Sequence, residues 1–210
     1  MTTFDFKKER KDLYQPTTAP SIVEVPAMSF LMVDGEGDPN GEGFHQAIET
    51  LYSLAYTIRM NKAEPGYYPY VVPPSEGFWD FAEEQAIPTE ITTFDKNQLI
   101  WTLVIRQPDF VTPEILDAAQ EKVRKKKPDL RPESARLESF TEGLCVQALH
   151  LGPYSTEPAT IQTMKKYVEQ RRFVLDYTRQ RRHHELYFSN PKNTEPDTMK
   201  TILRLPIRKN

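Results

Sequence analysis

Residues 183–191 read HHELYFSNP and residues 199–209 read MKTILRLPIRK, two apolar and β-branched runs separated by a turn-rich segment. Such runs belong to β-strands. In an extended chain Glu185 and Tyr187 share one face of the first run, while His184, Leu186 and Phe188 share the other. An earlier stretch, YYPYVVPPSEGFWD from Tyr67 to Asp80, carries the same kind of signal, and its EGFWD can be laid on ELYFS of the later run. Its prolines argue for an edge position or a bulge. LIWTLVIRQP, residues 99–108, then occupies the place that KTILRLPIRK, residues 200–209, holds in the second half.

Working outward from these strands, each is preceded by a strand and a helix. SIVEVPAMSFLMVDGEG, from Ser21, is a first strand, and Ala47, Ile48, Leu51, Leu54, Ala55 and Ile58 recur on one helical face after it. In the second half ARLESFTEGLCVQALHLGPY, residues 135–154, is a strand, and Ile161, Met164, Val168 and Leu175 mark a helix. Thr112 and Pro113 open a connector helix over about 112–127, with Ile115, Ala119 and Val123 on its inner face. The expected fold is α+β. Two β-α-β-β modules, about 21–107 and 135–208, would pack with pseudo-twofold symmetry into one curved antiparallel sheet. Neither module buries much core alone, so one domain over 21–210 is expected, preceded by an irregular extension at 1–20. Helices would cover one face of the sheet and leave a ligand groove on the other.

Composition narrows the partners. A net charge of −3 with acids and bases interleaved gives no footprint for nucleic acid or an anionic membrane. The basic clusters VRKKK and RQRRHH are short and flanked by acids, which suits solvated helix ends better than phosphate sites. One cysteine, Cys145, in an apolar run, precludes an intrachain disulfide and reads as a small buried side chain in a cytoplasmic protein. No signal peptide or membrane-length apolar window is present.

No known catalytic spacing stands out. His183 and His184 are adjacent and would point to opposite faces, so no metal site is expected. DGEGDPNGEG, residues 34–43, holds four glycines, but its acids would repel a phosphate. No cofactor is expected. What remains is a carboxylate beside a ring on each matched strand: Glu185 with Tyr187, and Glu76 with Phe78. On spacing alone the commoner fate of such a glutamate is an exposed place on a half-solvated sheet, and the aromatics Tyr70, Phe78, Trp79, Trp101, Phe140, Tyr154 and Tyr187 are each more often core. Several of them lining one concavity would offer stacking and cation-π attraction to a planar or cationic ligand, with a glutamate as countercharge.

Five pieces of the chain, in order, resemble a known family: YVVPPSEGFW from Tyr70, WTLVIRQPDF from Trp101, HLGPYSTEPATIQTM from His150, HHELYFSNP from His183, and MKTILRLPI from Met199. They are similar to the DNA gyrase inhibitor-like (GyrI-like) small-molecule-binding domains, related to the effector-binding domains of multidrug-sensing transcription regulators. The resemblance runs from about Ile22 to Ile207. It implies a central groove for flat, hydrophobic and often cationic compounds, with Glu185 at the family's glutamate position and Tyr154 in its Gly-Pro-Tyr turn. Only about twenty residues precede the first strand, so the DNA-binding element of the regulators is not expected. The chain looks like the stand-alone branch, which includes hydrolases that open the cyclopropane ring of DNA-alkylating compounds in an aromatic cage. Joined to the strand reading above, this gives Glu185 and Tyr187 as catalytic candidates, with Glu76, Tyr70, Phe78, Trp79, Trp101, Phe140 and Tyr154 as the ligand-binding candidates. A binder that sequesters such compounds unchanged is the alternative.

Overall fold

The computed structural model describes residues 3–81 and 95–210. Two one-turn helices, α1 (Phe6–Glu9) and α2 (Lys11–Tyr14), precede β1 (Ser21–Glu36), α3 (Glu42–Met60), β2 (Glu76–Phe81) and β3 (Leu99–Arg106). Helix α4 (Pro113–Lys126) leads to β4 (Arg136–Leu151), α5 (Glu157–Gln170), β5 (Phe173–Leu175), β6 (His183–Tyr187) and β7 (Lys200–Lys209). The strands run in the order β4-β1-β3-β2-β6-β7-β5, and β4 also pairs with β7. That extra pairing, seven residue pairs from Cys145–Pro206 to Leu151–Lys200, closes six antiparallel strands into a barrel. The expected open sheet is therefore corrected: its second face is not a groove but the inside of a closed barrel. A barrel this small has room for side chains and little else.

Alternation sorts the residues. Outward side chains of β1 and β3 (Leu31, Val33, Leu103, Ile105) meet the apolar stripe of α3 (Leu51, Leu54, Ile58) and that of α4 (Ile115, Ala119, Val123). Outward side chains of β4 and β7 (Val146, Ala148, Leu203, Leu205) meet Ile161, Met164 and Val168 of α5. Removing one such leucine costs about 2–5 kcal/mol, because the close-packed surroundings collapse only partly. Inward side chains, among them Val25, Phe30, Met32, Val104, Leu186 and Ile202, pack with Phe6, Leu13 and Tyr14. Within the extension read as irregular, residues 6–14 thus carry two helical turns whose apolar side chains complete the interior. Leu175, read as the end of the α5 stripe, instead lies in β5, after Arg172 takes a left-handed φ of 60°.

Thr112 caps α4 as its spacing indicates, and Arg124, Lys125 and Lys126 occupy its last turn, where the helix dipole favours cations. In the other basic cluster Arg181 and Arg182 lie outside any helix: Arg181 pairs with Asp176, and Arg182 donates to the Thr102 hydroxyl at 2.8 Å. Cys145 is fully buried, and burial pushes its thiol pKa up. Among the described residues no helix is long and apolar enough to cross a membrane.

Candidate functional site

The pairing of β2 with β6 sets the site. Gly77 lies opposite Glu185, Phe78 opposite His184 and Trp79 opposite His183. Glu185 therefore shares the outer face with Trp79, His183 and Tyr187, while Glu76 and Phe78 point the other way with His184 and Leu186. The two glutamates expected to face one groove are separated by the thickness of the sheet. The outer face is also the helix-bearing one, contrary to expectation. Helix α3 packs chiefly on β1 and β3, and α5 on β4 and β5, so the outer faces of β2 and β6 lie between them.

On that strip Glu185 accepts hydrogen bonds through both oxygens. Tyr187 Oη donates to Oε2 at 2.8 Å, and His183 Nε2 lies 2.8 Å from Oε1. Trp79 Nε1–H donates in turn to Tyr187 Oη, also at 2.8 Å. The relay crosses β2 at Gly77, where a Cβ would lie 2.8 Å from Tyr187 Oη and 3.0 Å from Trp79 Nε1. Glycine is what lets the two polar atoms meet. The Glu185 side chain is 14% exposed, enough for a ligand to reach a carboxylate otherwise fixed in place. Burial first, and then the Glu185 charge, hold the Tyr187 hydroxyl well above the usual phenol range, so it stays a proton donor.

Rings wall the site. Phe44 of α3 stacks on Trp79 with centroids 5.8 Å apart and meets Trp101 edge-on at 5.2 Å. Trp101 itself is buried against Gly35, where a Cβ would lie 2.0 Å from its ring, so it backs the wall. On the α5 side Tyr154 is 38% exposed and meets Tyr187 edge-on at 6.1 Å. Burial, and then the charge of Glu185, push the Tyr154 hydroxyl up to about 12. His150 fixes the turn that carries Tyr154: its ring nitrogens lie 2.9 Å from Thr160 Oγ1 and 3.2 Å from the Pro153 carbonyl.

Of the candidates, then, Glu185, Tyr187, Trp79 and Tyr154 come together, and Trp101 stands behind them. Glu76, Tyr70, Phe78 and Phe140 belong to the interior. Tyr70 is fully buried and packs edge-on against Phe110, and Phe140 meets the Phe78 edge at 5.2 Å. Glu76 is fully buried in a cluster of charges: Tyr14 Oη donates to its Oε1 at 3.3 Å, and His184 Nε2 comes within 2.9 Å of its Oε2. The other nitrogen of His184 lies 3.0 Å from Glu142 Oε2, to which Arg204 donates at 3.1 Å. Burial alone would raise the Glu142 pKa, but His184 and Arg204 outweigh it and hold the carboxyl at about 2.

Sequence reasoning missed three contributors. Phe44 sits just inside the start of α3, ahead of the residues that define its stripe. His183 is weighed in the sequence only as a metal ligand, and set aside as one. Glu157, 6% exposed, continues the α5 stripe Ile161, Met164, Val168 one turn back. An acid in register with apolar residues is the signal that could have found it.

The chain matches the family model of the GyrI-like small molecule binding domain over residues 18–208. Among solved structures it is similar to a Listeria innocua hydrolase, with 44% identity and a TM-score of 0.89 over 98% of this chain and 100% of that one. An uncharacterized conserved protein from Listeria innocua is 45% identical, with a TM-score of 0.90 over the same shares. The C-terminal domain of EcmrR shares the fold, with 12% identity and a TM-score of 0.53 over 91% of this chain and 98% of that one. No curated protein matches. The family-model match and the two similar structures together establish that this chain belongs to the GyrI-like small molecule binding domain family.

Proposed function

We propose that the protein detoxifies planar, electrophilic xenobiotics in the cytoplasm by hydrolysing a cyclopropane ring conjugated to a carbonyl. The observation that carries this reading is the Glu185 carboxylate, oriented by Tyr187 and His183 beneath the Trp79 and Phe44 rings. A flat ligand would lie against the rings, whose faces stabilise the positive character that develops at the attacked carbon. Glu185 accepts a proton from water as the hydroxyl bonds to that carbon. The ring C–C bond breaks, its electron pair moves through the conjugated system, and the carbonyl oxygen becomes a hydroxyl by taking a proton from an acid. One water is added and nothing is oxidised or reduced. The 44% identity to a Listeria hydrolase supports the class of reaction without specifying the substrate. We also read β1-α3-β2-β3 and β4-α5-β6-β7 as copies of one module, which places the ligand between the copies.

Incubating the pure protein with a cyclopropane-bearing alkylator and following products by mass spectrometry tests this. Many ring-opened molecules per protein are expected. Stoichiometric capture of unchanged ligand would instead identify a sequestering binder with Glu185 as counterion.

A further inference from the structure

The cleft contains a second carboxyl. Glu157 is the first residue of α5 and is buried under the Tyr154 turn. The groups that act on its carboxyl are Glu185 and Thr201, the residue opposite Tyr187 in the β6–β7 register, which puts it by the Tyr187–Glu185 side of the strand. Its Oε1 is buried with no hydrogen-bond partner among the described residues. The titratable groups facing it are Glu185 and Tyr187 from β6 and Tyr154 from its own turn, with His183 beyond Glu185. None of these supplies the cation that a buried carboxylate needs.

We propose that Glu157 is a neutral carboxylic acid and the proton donor of the cleft, its Oε1–H aimed at a carbonyl oxygen of the ligand while Glu185 acts as proton acceptor. Two acids whose charges act on each other in a buried place favour opposite protonation states, since two carboxylates there would repel. Burial, and then the charge of Glu185, hold the Glu157 carboxyl well above the usual carboxylate range. The buried, unpartnered Oε1 is the atom placed to carry the acid proton, and a buried donor without an acceptor marks the place a ligand oxygen fills. The transfer step rests on the hydrolase reading above. When the C–C bond breaks, the electron pair reaches the carbonyl oxygen, which takes the Glu157 proton. Glu185, protonated by the attacking water, then returns its proton to Glu157. The preferred substrates are therefore cyclopropanes conjugated to a carbonyl, over flat cations that lack one.

Infrared spectroscopy of the ligand-free protein at neutral pH tests the charge state. The carboxylic-acid C=O stretching band is expected in wild type and in Glu185→Gln, and absent in Glu157→Gln. A band that persists in folded Glu157→Gln overturns the proposal. The second arm is the pH profile of turnover of a cyclopropane-fused dienone. Wild type should lose kcat on the alkaline side as Glu157 gives up its proton. Glu157→Gln should lower kcat by roughly 10²-fold with KM little changed, and should lack that alkaline limb. An unchanged limb overturns the donor role. If wild type turns nothing over, the hydrolase reading and the transfer step fall together, and the infrared band still decides whether Glu157 is a neutral acid.

Discussion

Strand β6 separates two sets of charges that obey opposite rules. On its inner side two acids, Glu76 and Glu142, are matched by two cations, His184 and Arg204, inside the barrel. On its outer side the buried Glu157 carboxyl is coupled to the charge of Glu185, whose own partner is His183. The balanced set has the signature of structure: every charge lies within ion-pair distance of an opposite one. The unbalanced set leaves a buried carboxyl oxygen unsatisfied, which lowers stability and suits a site that waits for a ligand.

Arg204→Met should break the contrast most severely. It leaves Glu142 buried beside one cation instead of two, and should destabilise by roughly 3–5 kcal/mol, read as a large fall in the denaturation midpoint. Turnover per folded molecule should be unchanged. Glu185→Gln should do the reverse, lowering turnover by roughly 10²-fold or more while Tm holds or rises. A large loss of stability in that variant would show that the outer acids are structural after all. Gly77→Ala should affect both properties, because the new Cβ would crowd the Trp79–Tyr187 hydrogen bond. Overpacking of this kind costs about 1–3 kcal/mol, and circular dichroism melts together with ligand titration would register it.

The smallest effect per step is the pH dependence of stability, at most about 1.4 kcal/mol per pH unit for one proton. Glu142 is held low, so its contribution is present above its ordinary 4.5 and lost as pH falls towards about 2. His184 is held high: burial opposes its charge, but Glu142 and Glu76 outweigh burial. Its contribution is complete below its ordinary 6.5 and lost as pH rises through the raised value. Denaturant titrations across pH in wild type and His184→Gln would expose the alkaline loss, which the variant should lack.

The same contrast explains how much could be read from the sequence. Helical stripes in α3, α4 and α5 were legible because their buried positions are apolar almost throughout. Alternation within β6 correctly put Glu185 with Tyr187. It could not say what β6 pairs with, and closure depends on the β4–β7 and β2–β6 pairings between segments far apart in sequence. The interior was harder still, because Glu76, Glu142, Gln147, His184 and Arg204 are polar residues where a strand pattern expects apolar ones. Glu76 therefore looked like a mate for Glu185 when the register turns it inward. Glu157 was overlooked for a related reason: it is an acid in register with the α5 stripe, and a stripe is traced through its apolar members.

The N-terminal turns carry a consequence for how the chain is made. Arg204 donates to the Leu13 carbonyl at 3.0 Å, and Gln147 to that of Asp12 at 2.6 Å, joining positions up to 191 residues apart. The barrel interior is thus completed by segments nearly two hundred residues apart in sequence. Loop closure over such spans is slow, and little of the final core can form during synthesis. Until β7 emerges, Phe6, Leu13 and Tyr14 have no finished cavity to enter, so the nascent chain depends on being kept from aggregation longer than a domain of local contacts would.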